Sequence, residues 1–266
     1  MDLEFDPTDI WVILGKRRSG KTELLRVLSN RLVPRQNLMV VDPVGELGNR
    51  LGVRYHKVFG NKQAEKFWGD LYRAGEDRHR KGEDTDCLIA LDEADEHTDM
   101  GGRIQSSSFY RLVNYGRNFR YGLLAASRRP ANLPKDFISN ADHLCIFRFV
   151  EPNDVEYLHG ILGEGLTEKV KVLPDHVFIL YSPHVTEPYQ GLWTVQGEDI
   201  VRWTPTASGT EPSPEPPETP LDGESASSVT PSSTGTPEAP GAPTITDSGG
   251  PNSSGNPGPV DGRERT

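Results

Sequence analysis

A glycine-rich turn stands between a short apolar run and a helical pattern near the start of the chain, and no other feature restricts the fold as much. The apolar run is Ile10–Leu14, and the helical pattern begins at Thr22. Between them lies a Walker A sequence, Gly15-Lys-Arg-Arg-Ser-Gly-Lys-Thr22. Glycines let successive backbone N–H groups turn toward phosphate groups, and the N-terminus of a helix attracts anions. The sequence therefore predicts a phosphate-binding loop for a nucleoside triphosphate.

The residues of this loop have separate predicted roles. We expect Lys21 to reach the β- and γ-phosphates, and the hydroxyl of Thr22 to ligate Mg²⁺. The predicted nucleotide-binding residues are the eight members of the loop: Gly15, Lys16, Arg17, Arg18, Ser19, Gly20, Lys21 and Thr22.

A second motif consists of an apolar strand that ends in two acids. The run Leu88–Leu91 is followed directly by Asp92 and Glu93, which is the Walker B arrangement. We predict that Asp92 holds Mg²⁺ through water and that Glu93 orients and polarises the attacking water. Small-molecule kinases need no such glutamate, and the guanine-reading motif of GTPases is incomplete at Asn61-Lys-Gln-Ala64. ATP hydrolysis, with ATP and Mg²⁺ as cofactors, is the favoured reaction.

Strand-like and helical runs alternate along the chain. Central runs such as Leu38–Val41 are almost unbroken apolar stretches, which is typical of a parallel sheet covered on both faces. We therefore predict an α/β fold with a doubly wound, mostly parallel sheet of the P-loop NTPase type, RecA/ASCE-like. The predicted strands are Ile10–Leu14, Leu38–Asp42, Cys87–Asp92, Tyr121–Ser127, His143–Val150 and His176–Tyr181. The predicted helices are Thr22–Leu32, Ala64–Ala74, Phe109–Asn118, Pro134–Ser139 and Asn153–Leu162, and Gln190–Trp203 is expected to add an antiparallel hairpin.

Composition divides the chain into two parts. Residues 204–266 contain 13 of the 22 prolines and no aromatic residue, so this segment cannot bury enough apolar surface to fold. We predict an ATPase domain over residues 1–203 and a disordered, acidic tail rich in Pro, Ser, Thr and Gly over 204–266. The tail carries nine acidic and two basic residues, a balance of −7, which leaves −3 of the chain's −10 on the domain. A broad basic surface is therefore not expected, and any DNA contact should be local.

The remaining composition excludes several classes of site. Cys87 and Cys145 each begin an apolar run and are expected to be buried, reduced thiols. The sequence lacks CxxC and HExxH patterns, a signal peptide and an apolar run that approaches 18 residues. We expect a soluble, intracellular protein without a transmembrane segment or a zinc site.

Arginines are concentrated around the fourth predicted strand. Arg117 and Arg120 precede this strand, and Arg128 and Arg129 follow it. P-loop ATPases that act as motors usually need a positive charge near the γ-phosphate late in the reaction. This charge often comes from a neighbouring subunit. Each arginine taken alone is equally well explained as a solvated surface charge, but a catalytic role for at least one is predicted.

Several segments together resemble the FtsK–HerA superfamily of DNA-pumping ATPases, and most closely the genome-packaging ATPases of membrane-containing icosahedral viruses. The resemblance covers residues 10–182. Besides the two Walker motifs, it includes Val40–Glu46, Gly116-Arg117, Ser127–Pro130, Ser139–Asp142 with the strand Leu144–Phe149, and Pro152–Gly163.

The resemblance implies an ATP-driven double-stranded DNA translocase that packages a viral genome. It implies a homo-oligomeric ring, a hexamer, with DNA in the channel and nucleotide at subunit interfaces. It places an arginine finger at Arg117. The family usually carries Gln as a phosphate sensor where this chain has Arg128, so Arg128 is expected to sense phosphate or to contribute a charge. A capsid vertex or viral membrane protein is a further expected partner, with the host cytoplasm or the virion as location.

The position of the DNA contacts is the least readable part of the sequence. Glu96–Ser108 and Arg73–Lys81 are candidate DNA-facing loops, although an ordinary exposed loop explains either. Asp42 and Glu46 either shape the nucleotide site or serve as turn and capping residues. Two alternative functions stay open: a phage assembly, secretion or conjugative-transfer ATPase, and a nucleotide-gated scaffold with slow turnover.

Overall fold

The computed structural model describes residues 6–83, 85–98 and 103–205. The strands in this part of the chain are β1 Ile10–Leu14, β2 Leu38–Val41, β3 Tyr55–His56, β4 Cys87–Leu91, β5 Tyr121–Ser127, β6 His143–Ile146, β7 Val177–Tyr181, β8 Tyr189–Gln196 and β9 Asp199–Arg202. The α-helices are α1 Lys21–Leu32, α2 Glu46–Leu51, α3 Gly60–Lys81, α4 Ser107–Tyr115, α5 Lys135–Ser139, α6 Pro152–Leu162 and α7 Glu164–Lys171.

The nine strands form one sheet in the order β3-β2-β4-β5-β1-β6-β7-β8-β9. The first six strands in this order are parallel, and β7, β8 and β9 continue the sheet in antiparallel fashion. Strand β5 lies between β1 and β4, with Leu14 paired to Ser127 and Leu91 paired to Ala125. The ends of the two Walker strands are therefore one strand apart.

Side chains of β1 alternate between the two faces of the sheet, and both faces are buried. Ile10, Val12 and Leu14 belong to a hydrophobic cluster formed with α3, α4 and α6. Trp11 and Ile13 belong to a second cluster, formed with α1 and α2. A large apolar side chain buried in this way stabilises the fold by about 1.5–3 kcal/mol. The alternation explains why the strand reads as a continuous apolar run.

Helices α3 and α4 cover one face together. Trp68 of α3 is fully buried and stacks on Phe109 of α4, with 4.2 Å between ring centroids. Helix α3 ends at Lys81 and is capped by Gly82, which adopts φ 72° and donates its N–H to the carbonyls of Arg78 and His79. This left-handed cap suits glycine because the residue has no Cβ.

The arrangement of parallel strands determines where the functional groups lie. The segments that follow β1, β4 and β5 all leave from the carboxyl edge of the sheet, which is where open α/β sheets bind ligands. The segments that precede β1, β5 and β6 lie at the opposite, amino edge.

The predicted fold class is confirmed, with differences in detail. The short elements β3, α2 and α7 were not predicted, and α3 is longer than the predicted Ala64–Ala74. The interpretation of Arg73–Lys81 as a loop was wrong, because these residues form the last turns of α3. The predicted strand His143–Val150 ends at Ile146. The predicted tail, from residue 206 onward, lies outside the described residues, so the boundary at 203 and 204 stays a prediction.

Candidate nucleotide site

The loop between β1 and α1 can close only with glycine at two positions. A Cβ on Gly15 would lie 2.3 Å from Ser19 Oγ and 3.0 Å from Phe147 Cβ. Gly20, directly before α1, adopts φ 103°, a conformation that residues with a Cβ rarely take. The loop is held against β5 because the Gly15 N–H donates to the Ser127 carbonyl over 3.2 Å. The backbone thus has the tight turn that a phosphate-binding loop requires.

Lys21 lies inside this turn rather than on the surface. The residue is 6% exposed, and its ammonium donates to the Lys16 carbonyl over 3.2 Å. Burial lowers the pKa of Lys21, whereas the negative charges of Glu93 and Asp92 act in the opposite direction. A buried ammonium beside a turn of backbone N–H groups fits the phosphates of a nucleotide, whose charge would stabilise it.

Thr22 and Asp92 come together across the two Walker motifs. The Thr22 hydroxyl donates to Asp92 Oδ2 over 3.3 Å, and the N–H of Glu93 donates to Asp92 Oδ1 over 3.0 Å. The pKa of Asp92 is raised to about 6, chiefly by burial and also by the charges of Glu93 and Asp42. A buried carboxylate that is costly to ionise, next to a hydroxyl, is a donor set that fits Mg²⁺, with water completing the shell. The described residues contain no cluster of three or more His, Cys, Asp or Glu placed to hold a metal without such help.

Glu93 is the second residue after β4 and stands in a strained conformation. Its backbone has φ 55° and ψ 53°, and its side chain is 19% exposed. Burial raises the pKa of Glu93, while the charge of Arg128 is the largest opposing effect. The two side chains approach to 2.6 Å between Arg128 Nε and Glu93 Oε2. The contact is a close ion pair.

The segment that carries Arg128 is anchored on both sides. Ser127, fully buried, donates its hydroxyl to Asp95 Oδ1 over 3.0 Å and accepts from the Arg129 N–H over 3.1 Å. Arg129 forms an ion pair of 3.6 Å with Asp154 of α6, whose carboxylate also accepts weakly from the Ala131 N–H at 3.4 Å. Burial raises the pKa of Asp154.

A cavity of about 460 Å³ opens beside the phosphate-binding loop. Its lining mixes four cations and three carboxylates with one aromatic ring: Lys16, Arg17, Arg128 and Arg129; Asp95, Glu151 and Asp154; and Phe149. Asp95 and Asp154 were missed in the sequence. Asp154 occupies the first turn of α6, where an acid is explained equally well by the helix dipole, so no local pattern distinguishes it.

Arg117 lies apart from these residues, at the amino edge of the sheet. Its guanidinium contacts Asp9 at 3.0 Å and Asp142 at 2.5 Å, and these residues precede β1 and β6. The hydrogen bond to Asp142 is the main cause of the raised pKa of Arg117. The predicted finger is therefore separated from its own phosphate-binding loop by the length of the strands, and a role in catalysis requires a second subunit.

Asp42 acts as a capping residue. Its carboxylate, 1% exposed, accepts from the N–H groups of Val44, Gly45, Leu47 and Gly48 at 2.7–3.3 Å. It closes the turn before α2, and its charge contributes to the raised pKa of Asp92. Glu46 lies on the surface and pairs with Arg50 at 2.8 Å.

In the described part of the two segments considered for DNA contact, two of the arginines are paired with acids of the same helix. Arg73 and Arg80 on α3 pair with Asp70 and Asp77 at 2.5 and 3.3 Å. Within the predicted loop Glu96–Ser108, Thr98 bridges to Ile104, and residues 99–102 lie outside the described residues. The gripping segment stays unassigned.

Similarity to solved structures identifies the fold. The chain resembles the genome packaging NTPase B204 from Sulfolobus turreted icosahedral virus 2 in complex with AMPPCP, with 21% identity, a TM-score of 0.53 and coverage of 67% of this chain and 94% of that chain. B204, the DNA-packaging ATPase from Sulfolobus turreted icosahedral virus, gives 22% identity, a TM-score of 0.54 and coverage of 67% and 94%. These likenesses show a shared P-loop NTPase fold.

A protein-secretion ATPase has the same fold. The cytoplasmic domain of the Thermomonospora curvata type VII secretion ATPase EccC gives 14% identity and a TM-score of 0.51, over 70% of this chain and 24% of that chain. No family model and no curated protein sequence matches the chain. Among the described helices, none combines the length and the apolar character needed to cross a membrane.

Proposed function

We propose that this chain is an ATP-hydrolysing, double-stranded DNA translocase that packages a viral genome. The observation that carries the ATPase part is the convergence of Lys21, Thr22, Asp92 and Glu93 at the carboxyl edge of one sheet. The packaging part is supported by the sequence resemblance and by the fold shared with a genome packaging NTPase.

The residues of the site divide the work of hydrolysis. Lys21 neutralises the charge of the β- and γ-phosphates, and Glu93 orients the attacking water by accepting its proton in a hydrogen bond. Thr22 and Asp92 are placed to hold Mg²⁺, which supplies charge neutralisation on the phosphates when it is bound. The raised pKa of Asp92 and the lowered pKa of Lys21 mean that each charge is costly alone. Bound nucleotide and metal would relieve both.

The position of Arg117 supports the proposal of a ring of identical subunits. At the amino edge it cannot reach the phosphates of its own loop, but its exposed side chain could reach the loop of a neighbour in a head-to-tail ring. We propose a homohexamer with DNA in the channel, and a capsid vertex or viral membrane protein as its docking partner in the host cytoplasm or the virion. The domain charge of −3 calls for a few local phosphate contacts.

ATP turnover by the full chain, with and without linear double-stranded DNA, tests this proposal. We expect several-fold stimulation by DNA. Lys21→Ala and Glu93→Gln should each lower turnover by about 100-fold or more, the loss typical of removing a transition-state contact. Lys66→Ala is the matched lysine control, because Lys66 is exposed and contacts Asp70 on α3, so its turnover should equal the wild type.

The result separates the alternatives. Turnover that ignores DNA at concentrations where the protein is oligomeric would contradict the translocase and favour an assembly, secretion or transfer ATPase, in line with the fold shared with EccC. Binding of ATP without turnover would favour the nucleotide-gated scaffold.

A further inference from the structure

The ion pair between Arg128 and Glu93 occupies the centre of the proposed site. Arg128 Nε lies 2.6 Å from Glu93 Oε2, and its Nη2 lies 3.9 Å from Glu96 Oε1. The Arg128 side chain is 41% exposed and that of Glu93 is 19% exposed, so the pair is partly withdrawn from solvent. The carboxylate that should activate water is thus paired with a neighbouring cation.

Both partners stand on rigid backbone, unlike a typical surface ion pair. Glu93 follows β4 with φ 55°, and its N–H is bonded to Asp92 Oδ1. Arg128 stands between Ser127, which is bonded to Asp95, and Arg129, which is paired with Asp154. Because the backbone of both residues is held in place, a change of partner would involve only the two side chains.

The guanidinium also borders the cavity beside the phosphate-binding loop. Lys16 and Arg17, from the start of the loop, line the same cavity as Arg128. On the proposed function Lys21 binds the β- and γ-phosphates, so a bound γ-phosphate would lie at the same carboxyl edge of the sheet as Arg128. A guanidinium can pair with a carboxylate or with a phosphate. The Nε edge that is paired with Glu93 cannot form a full pair with a phosphate at the same time.

We propose that Arg128 is a positioning residue that pairs with Glu93 in the nucleotide-free protein and exchanges this carboxylate for the γ-phosphate when ATP binds, which releases Glu93 to orient water. The inference rests on the proposed ATPase function. ADP lacks the γ-phosphate and leaves the ion pair in place. The arginine, which stands where the resembled family usually has glutamine, therefore makes the water-activating acid available only to the triphosphate.

A double-mutant cycle on nucleotide binding tests the exchange without requiring turnover. The affinity of the full chain for ATPγS and for ADP, each with Mg²⁺, is measured for wild type, Glu93→Gln, Arg128→Gln and the double variant. Because ATP must break the ion pair, Glu93→Gln should tighten ATPγS binding by roughly tenfold, within the range of ordinary coupling energies. In the Arg128→Gln background the same change should have less than about a twofold effect. ADP affinity should change by less than about twofold throughout, because ADP leaves the pair intact.

Simple electrostatic repulsion predicts the opposite result for the two backgrounds, wild type and Arg128→Gln. If Glu93 only repels the γ-phosphate, its removal helps at least as much when Arg128 is absent, since the repulsion is then unscreened. A gain in the Arg128→Gln background that equals or exceeds the wild-type gain overturns the exchange, and so does the absence of a gain in Glu93→Gln. Failure of the wild type to bind ATPγS would instead contradict the proposed function.

Two controls separate the exchange from loss of folding. Arg128→Lys keeps the charge but not the fork, so it should retain part of the coupling. Arg80→Ala with Asp77→Asn removes an exposed ion pair of 3.3 Å on α3, and this cycle should show no coupling to ATPγS.

Discussion

At the scale of single residues, Asp92 shows what the site costs the fold in the absence of ligand. Its pKa of about 6 in the folded protein lies above the ordinary 3.8, so the folded state holds the proton more tightly than the unfolded state. The free energy of unfolding therefore falls as pH rises from 4 through 6. Above pH 6 the ionised Asp92 lowers it by about 2–3 kcal/mol. Asp92→Asn should be more stable than wild type at pH 7.5 and similar to it at pH 4.

Thermal unfolding at both pH values, with a chelator present, measures this difference. Asp77→Asn is the matched control, since Asp77 is exposed and the change should be small at either pH. Equal shifts for Asp92→Asn at pH 4 and pH 7.5 would contradict the assignment of the raised pKa. The Asn variant should also lose turnover, because the residue that stabilises the ligand-free fold cannot serve the metal.

At the scale of elements, the turn into α2 depends on one side chain. Asp42 accepts from four backbone N–H groups in a buried turn, and Asp42→Ala would leave these donors without their partner. We expect a loss of about 2–4 kcal/mol in the free energy of unfolding. Urea denaturation measures it. Glu46→Ala, which removes an exposed ion pair with Arg50, should cost less than about 1 kcal/mol, and similar losses for both would contradict the capping role.

Alanine substitutions at two glycines in regular elements should change the free energy of unfolding in opposite directions. A Cβ on Gly122 of β5 would lie 2.0 Å from the Pro7 carbonyl oxygen, which is backbone and cannot move aside cheaply. Gly122→Ala should cost about 1–3 kcal/mol or more. Gly160 of α6 has open space around it, so Gly160→Ala should stabilise by about 0.5–1 kcal/mol. Denaturation midpoints of the two variants measure these changes. No loss of stability in Gly122→Ala would contradict the close approach of β5 to the Pro7 carbonyl.

At the scale of the whole molecule, the sequence predicts what is local and misses what the topology creates. The central strands and the final hairpin are contiguous patterns, and the structure contains them. The predicted extension of β6 to Val150 fails because the backbone pairing with β1 ends with the bond from the Phe147 N–H to the Leu14 carbonyl, whereas Phe149 is buried by packing. The contacts of Glu93 with Arg128 and of Asp95 with Ser127 join residues more than thirty positions apart. They arise because β5 lies between β1 and β4 in the sheet. No spacing within the sequence indicates this strand order.

The same topology yields a prediction about assembly. The phosphate-binding loop and Arg117 lie at opposite edges of the sheet, so a head-to-tail neighbour could supply Arg117 to the loop in a ring. Lys21→Ala and Arg117→Ala should each abolish turnover alone. Mixed in equal amounts and allowed to exchange, they should recover about a quarter of wild-type turnover, because random mixing gives that share of interfaces with both residues intact.

Turnover of the mixture, compared with each variant at the same total concentration, measures this recovery. Arg117 also pairs with Asp9 and Asp142 in its own subunit, so its loss could act by weakening that edge of the sheet. In that case the Arg117→Ala subunits, which hold the only intact lysines, would be the damaged ones, and mixing would restore nothing. Recovery therefore requires that the arginine act on a neighbour, whereas an inactive mixture of oligomers that do exchange would assign Arg117 to the stability of its own chain.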